Sequence, residues 1–192
     1  MALVAPPAPV SVRILDAVLV CIGRFGLAKT TVDDIAREAG CSRATLYRYF
    51  DGKAEIVESA FAAEAARLTH VLIDEGRAAR TLADAVVDVV VMAARELRGH
   101  DALQFLLVHE PEAILGHLAF GPGDRVLVAV GGSLAPAFDR WLSVDQARRG
   151  AEWLGRVVRS YVLMPHPPID FTDPRTARAF LESLVIPALD ES

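Results

Sequence analysis

The chain has 192 residues, of which 53% are apolar and 23% are charged, so it has enough apolar surface for a packed core and is not a disordered chain. Its two cysteines cannot form a disulfide scaffold, and neither they nor the five histidines have the spacing of a metal site. The apolar runs are too short to span a bilayer. Residues 1–10 lack the basic and apolar regions of a signal peptide and are predicted to form a flexible tail. We therefore expect a cytoplasmic protein with no membrane segment, no metal and no cofactor.

The charge is distributed unevenly along the chain. The formal net charge is −5. Residues 1–53 contain seven Lys and Arg against five Asp and Glu, a balance of +2, whereas residues 54–192 contain thirteen against twenty, a balance of −7. A small basic N-terminal unit is therefore expected to precede a larger acidic one, and only the basic unit suits a polyanionic partner.

The first two predicted helices follow the tail. Apolar side chains recur three and four residues apart over residues 11–25, which predicts one buried helix face. Gly26 is a typical C-terminal stop. Thr30 or Thr31 supplies the N-cap of a second helix, which has acidic residues in its first turn and runs to about Ala39.

The rest of the chain is also predicted to be helical. Gly40 ends the second helix, Ser42 caps a short third helix from Arg43 to about Tyr49, and a longer helix begins near Lys53. No strand pattern competes with these helices, so the sequence predicts an all-α fold with about nine helices. Further helices are expected over residues 81–99, 101–110, 112–119, 124–141, 143–164 and 173–186.

The second and third helices have the spacing of a helix-turn-helix. They are joined by Ala39-Gly40-Cys41-Ser42, where Gly40 suits a tight turn with positive φ. Ala36 is small at a position where two helices must cross closely. In this motif the second helix enters the major groove of DNA and the first lies across the backbone.

The helix-turn-helix and its flanks resemble the DNA-binding domain of the TetR family of bacterial transcriptional regulators. The resemblance covers about residues 11–61, and residues 30–53 carry it with the sequence TTVDDIAREAGCSRATLYRYFDGK. The segment Thr-Leu-Tyr-x-Tyr-Phe-x-x-Lys at residues 45–53 is its most specific part. The remainder of the chain is similar to the family only in length and helix content.

The resemblance implies a set of DNA-contacting residues. Arg43 occupies the position that most often reads a base edge, and an arginine can donate two parallel hydrogen bonds to guanine. Thr45 and Arg48 lie on or near the groove-facing side. Hydroxyls and cations elsewhere in the set are expected to contact phosphates. The full predicted set is Thr31, Ser42, Arg43, Thr45, Tyr47, Arg48, Tyr49 and Lys53.

The resemblance also implies a ligand-responsive homodimer, in keeping with a repressor that binds a palindromic operator in double-stranded DNA. Residues 11–53 would form the DNA-binding domain and residues 54–192 the regulatory domain, with a small and largely apolar effector releasing the operator. Candidate effector-binding residues are Phe105, His109 and Trp141. The last two predicted helices would pair with their copies, and their candidate interface residues are Trp153, Leu154, Val157, Tyr161, Phe180 and Leu184.

Other interpretations of these residues are available from the sequence. The basic residues of the third helix could be an ordinary solvated face, and the aromatic rings could be core residues. Cys41 is expected to be a small core residue rather than a redox sensor. His109, Glu110 and His117 do not complete a metal ligand set. A small helical enzyme and a helical adaptor are the competing functions, but the chain lacks a recognisable nucleophile–base pair or phosphate loop.

Overall fold

The structure is a computed structural model that describes residues 8–113, 132–163 and 169–187. Within those ranges the fold is all-helical without a strand, as predicted, and eight α-helices and one short 3₁₀-helix at Ala135–Ala137 are described from end to end. None of these helices is long and apolar enough to cross a membrane. The α-helices are α1 (Val10–Phe25), α2 (Val32–Glu38), α3 (Arg43–Tyr47), α4 (Lys53–Ala78), α5 (Leu82–Gly99), α6 (Asp101–His109), α7 (Val144–Leu163) and α8 (Pro174–Leu184).

The described residues divide into two compact units. The first contains residues up to 65 together with residues 101–113, and the second contains residues 66–100 and the described residues after 131. Helix α4 therefore contributes its first half to one unit and its second half to the other. The predicted DNA-binding segment, residues 11–53, lies entirely within the first unit.

The core of the first unit forms where α1 packs against α2 and α6. The buried face of α1 has apolar residues at intervals of three and four, as the sequence pattern predicts. Gly26 follows α1 with φ +84°, a conformation that residues with a side chain rarely adopt. The largest fully buried side chains of this core are Ile14, Val18, Ile22, Ile35, Leu46, Ile56 and Leu106.

The core of the second unit forms where α5 packs against α7 and α8. Seven of the apolar residues of α5 are buried, which accounts for its dense run of valine and alanine. Asp173 caps α8 by accepting the Thr176 N–H at 3.0 Å, and Pro174 occupies the first turn, as predicted. The start of α8 could be predicted because both signals, the cap and the proline, depend only on neighbouring residues.

Two of the predicted helices differ from the structure. Helix α3 ends at Tyr47 instead of Tyr49, because the N–H groups of Arg48 and Tyr49 bond to carbonyls three residues back and tighten the last turn. The helix expected over residues 124–141 is broken: Ala135–Ala137 form a 3₁₀-helix that contains Pro136, and residues 138–141 form a turn. Residues 132–134 of that prediction are helical, and its residues 124–131 lie outside the described residues, as does most of the helix predicted at 112–119.

Candidate nucleic-acid interface

Helix α3 is held by one buried side chain and one cap. Leu46 is fully buried and anchors the helix in the core of the first unit. Ser42 is the N-cap, and its Oγ accepts the Thr45 N–H at 3.1 Å while lying 2.9 Å from the Thr45 hydroxyl. Gly40, with φ +62°, makes the preceding turn. A five-residue helix fixed in this way must expose its remaining faces.

The exposed faces of α3 and the residues after it carry two arginines and two tyrosines. Tyr47 is 47% exposed and Tyr49 is 44% exposed, so both side chains are accessible to a partner. The guanidinium of Arg43 lies 6.0 Å from the centre of the Tyr47 ring, and that of Arg48 lies 5.3 Å from the Tyr49 ring. This surface offers cations and hydroxyls together, which are the groups that bind phosphates and base edges.

Arg43 has a second partner on α2. Its Nη1 donates to Asp33 Oδ2 at 3.2 Å, and both side chains are more than half exposed. A hydrogen bond with Tyr47 and the charge of Asp33 raise the pKa of Arg43, so the guanidinium stays charged. An ion pair this exposed contributes little stability, so a DNA base edge can replace Asp33 at small cost.

Thr31 forms a complete capping box at the start of α2. Its Oγ1 accepts the Asp34 N–H at 3.2 Å, and the Asp34 carboxylate accepts the Thr31 N–H at 3.1 Å. The Thr31 hydroxyl and N–H, and then Arg37, lower the pKa of Asp34. The predicted N-cap is therefore confirmed, whereas the predicted phosphate contact of Thr31 stays a prediction.

Lys53 begins α4 and is partly buried. Its Nζ donates to the main-chain carbonyl of Leu27, in the loop between α1 and α2, at 2.5 Å. An ammonium has three donors, so this bond is compatible with the predicted phosphate contact. It also gives Lys53 a role within the fold that the sequence did not indicate.

The three candidate effector-binding residues do not share a unit. Phe105 and His109 lie on α6 in the first unit, with ring centres 4.6 Å apart, and Phe105 approaches Gly26 closely. Trp141 packs against the core of the second unit. No pattern in the sequence indicates that α6 packs against α1, because the two helices are far apart along the chain.

The candidate interface residues of α7 and α8 have very different exposures. Trp153 is 45% exposed and Leu184 is 63% exposed, so both present apolar surface. Val157 is partly buried, as are Tyr161 and Phe180, whose ring centres lie 6.5 Å apart. Leu154 is only 2% exposed and packs in the core of its own unit, so the prediction that it faces a partner does not fit this structure.

The described cysteines and histidines add no further site. Cys21 is buried, and burial is the main cause that raises the pKa of its thiol. Cys41 is half-buried rather than fully buried in the core. Within the described ranges no three His, Cys, Asp or Glu side chains are grouped to hold a metal ion. His117 lies outside the described residues.

Comparison with known proteins agrees with this geometry. The family model described as bacterial regulatory proteins, tetR family, matches residues 14–60. The HTH-type transcriptional regulator Rv1255c of Mycobacterium tuberculosis is 31% identical over 188 residues, covering 91% of this chain and 83% of that protein. The chain belongs to the TetR family. It is a DNA-binding transcriptional regulator and not an enzyme, which removes both competing functions.

Similar solved structures share the fold over nearly the whole chain. The TetR family repressor AlkX from Dietzia sp., implicated in biodegradation of n-alkanes, has a TM-score of 0.73 at 19% identity and 96% coverage of both chains. The transcriptional regulator FadR from Bacillus subtilis, solved in complex with stearoyl-CoA, has a TM-score of 0.55 at 19% identity, covering 91% of this chain and 97% of that one. At these identities the likeness shows the fold alone.

Proposed function

We propose that this TetR-family regulator binds a palindromic operator as a homodimer, represses transcription there, and leaves the operator when a small, largely apolar effector binds. Residues 11–53 would supply the DNA contacts, and residues 54–192 would supply the effector site and the dimer interface. The observation that carries the proposal is the exposed surface formed by α3 and the two residues after it. There Arg43 and Arg48 lie against the rings of the exposed tyrosines Tyr47 and Tyr49.

Each residue of that surface is assigned a role by its chemistry and position. Arg43, in the first turn of α3, is proposed to read a guanine, because the first turn of a recognition helix enters the groove most deeply. Thr45 and Arg48 are proposed to lie near the base edges. The proposed phosphate contacts are those of Thr31, Ser42, Tyr47, Tyr49 and Lys53.

The proposed dimer interface lies on α7 and α8. Trp153 and Leu184 present apolar surface there, and Val157, Tyr161 and Phe180 are only partly buried by their own unit. Two copies joined through such a surface would present two α3 helices to one DNA duplex. The half-sites would then lie about 34–36 Å apart, one turn of the double helix.

An apolar effector suits the composition of the second unit. Its core consists of aliphatic and aromatic side chains, and Trp141 lies at the margin of that core. FadR from Bacillus subtilis, which has the same fold, binds the long-chain ligand stearoyl-CoA. Trp141 is the proposed effector-binding residue of this unit, and Phe105 and His109 remain proposed effector-binding residues of the first unit.

Gel-shift titration of genomic fragments tests the proposal. Wild-type protein is expected to retard a small subset of fragments, and Arg43→Ala is expected to lose that preference. Arg98→Ala, which removes the same charge from α5, is the matched control and should retain the preference. Equal retardation of all fragments by wild-type protein would contradict operator recognition.

A reporter gene placed behind a preferred fragment tests the proposed repression. Expression of the wild-type regulator is expected to lower reporter output, and expression of Arg43→Ala is expected to leave it high. Output that rises with the wild-type regulator would identify an activator and contradict the repressor assignment.

A further inference from the structure

The loop between α1 and α2, residues Gly26–Thr30, is closed at both ends. The Gly26 N–H bonds to the Ile22 carbonyl at 2.9 Å, which joins the loop to α1. Thr30 is only 1% exposed, and both its hydroxyl and its N–H donate to the Gly26 carbonyl, at 2.7 and 3.1 Å. The next residue, Thr31, is the cap of α2. A displacement of this tight loop therefore moves the start of the helix-turn-helix.

The peptide group in the middle of the loop is held from two sides by opposite charges. Its oxygen, on Leu27, accepts a hydrogen bond from the Lys53 ammonium at 2.5 Å. Its N–H, on Ala28, donates to the Glu110 carboxylate, at 3.1 Å to Oε2 and 3.4 Å to Oε1. A cation on the oxygen and an anion on the N–H polarise a peptide in the same sense, so each bond strengthens the other.

Close approach of Glu110 depends on the glycine at the start of the loop. A Cβ atom on Gly26 would meet the Glu110 carboxylate and would lie 2.7 Å from a ring carbon of Phe105. Helix α6 ends at His109, and Pro111 prevents it from continuing, so Glu110 turns out of the helix toward the loop. The positive φ of Gly26 and the absence of its side chain serve the same contact.

We propose that Glu110 is a positioning residue for DNA binding. Through the Leu27–Ala28 peptide it acts with Lys53 to fix the α1–α2 loop, and thereby α2 and α3, although it lies 57 residues beyond Lys53 in the chain. The inference rests on the proposed DNA-contacting surface of α3. It assigns to the end of α6 a role in operator affinity that does not require contact with DNA.

The direction in which DNA affinity changes when Glu110 is replaced distinguishes this positioning role from simple charge repulsion. Removing a negative charge from a DNA-binding protein ordinarily tightens binding, because repulsion by the phosphates is reduced. Glu110→Ala is expected to weaken binding instead, since the loop loses its anchor. Glu112→Ala removes the same charge two residues further along, from an exposed position, and is the matched control.

The affinity experiment uses a duplex that wild-type protein has selected from a random pool. Glu110→Ala is expected to bind it about tenfold more weakly, the size of one missing charge-assisted hydrogen bond, and Glu112→Ala is expected to bind as tightly as wild type or more tightly. The slope of log affinity against log salt should not change for Glu110→Ala, because every phosphate is still bound by the same side chains. Equal affinities of Glu110→Ala and Glu112→Ala would overturn the proposal.

Amide hydrogen exchange at Ala28 tests the anchor without DNA. Exchange should accelerate about tenfold in Glu110→Ala and should stay at the wild-type rate in Glu112→Ala. Glu110→Gln retains an acceptor oxygen, so its DNA affinity and its Ala28 exchange rate should lie between those of wild type and Glu110→Ala. It replaces Glu110→Ala in both experiments if that variant folds poorly. Ala28 exchange at the wild-type rate in both Glu110→Ala and Glu110→Gln would overturn the proposal. If wild-type protein selects no duplex, the proposed function fails, while the exchange result still decides whether Glu110 anchors the loop.

Discussion

Arg43 is the residue whose contacts in the free protein bear most directly on the proposed reading of operator DNA. It lies between Asp33 of α2, at 3.2 Å, and the ring of Tyr47 in its own helix. Both neighbours hold the guanidinium near the surface that faces outward from α3. Binding to guanine requires only that the exposed contact with Asp33 is exchanged for a base edge, which costs little.

Replacing Arg43 with alanine should therefore reduce specificity more than general DNA affinity. The loss is expected to be about 1–3 kcal/mol per half-site on a preferred duplex and much smaller on random DNA. Titration of both duplexes at one salt concentration measures the difference. A similar loss on both would place Arg43 on phosphates and would leave Thr45 and Arg48 as the candidates for base reading.

Lys53 should show the opposite behaviour. If one of its donors contacts a phosphate, Lys53→Ala weakens binding to preferred and random duplexes alike. The salt slope should then fall by about 0.9 for each phosphate that the variant no longer neutralises, near two for a dimer. A weakened affinity with an unchanged slope would show that Lys53 acts only through the Leu27 carbonyl.

At the scale of secondary-structure elements, α3 depends strongly on its cap. A five-residue helix has few internal hydrogen bonds, so the Thr45 N–H held by Ser42 is a large share of its order. Arg43 and Tyr47 project from this same short helix. We therefore expect the stability of the cap and the affinity for DNA to be linked.

Ser42→Ala should destabilise the protein by about 1 kcal/mol, the usual size of a missing N-cap. It should also weaken binding to DNA, since α3 frays in the unbound protein. Urea unfolding and duplex titration measure the two effects. Ser160→Ala, at an exposed site within α7, is the control and should change neither quantity. Full stability and affinity in Ser42→Ala would contradict a role for the cap.

The sequence could predict the features that depend on near neighbours. Ser42 and Asp173 were identifiable as caps, and Thr31 as one of two candidates, because the N–H that each accepts lies three residues ahead. The contact of Glu110 with Ala28 was not identifiable, because no periodic pattern links residues 82 positions apart. The burial of Leu154 was also missed, since periodicity shows which side of α7 is apolar but not which part of that side its own unit covers.

For the whole molecule, the exposed apolar residues of α7 and α8 bear on assembly. Exposed tryptophan and leucine at Trp153 and Leu184 are consistent with a surface that a second copy covers. An obligate interface of this kind usually buries more than about 2,000 Å² in total. Residues 54–192 carry the net negative charge of the chain, so phosphate repulsion favours an orientation with the basic residues 1–53 toward DNA.

We expect sedimentation at micromolar concentration to show a dimer of the 20.7 kDa chain. Trp153→Glu and Leu184→Glu should each shift the protein toward the monomer, because a buried unpaired carboxylate opposes association. Val108→Glu, at a 69% exposed site on α6, is the matched control and should remain dimeric. A monomer in the wild type, or dimers in all three variants, would show that α7 and α8 do not form the interface.

Two copies of α3 are proposed to read a two-fold symmetric DNA site. Sequencing the duplexes that full-length wild-type protein selects from a random pool tests it most directly. The predicted result is an inverted repeat whose half-sites are centred about one helical turn apart, with a guanine-containing position that Arg43→Ala no longer selects. A pool without enrichment, or one with a single unrepeated motif, would contradict the claim.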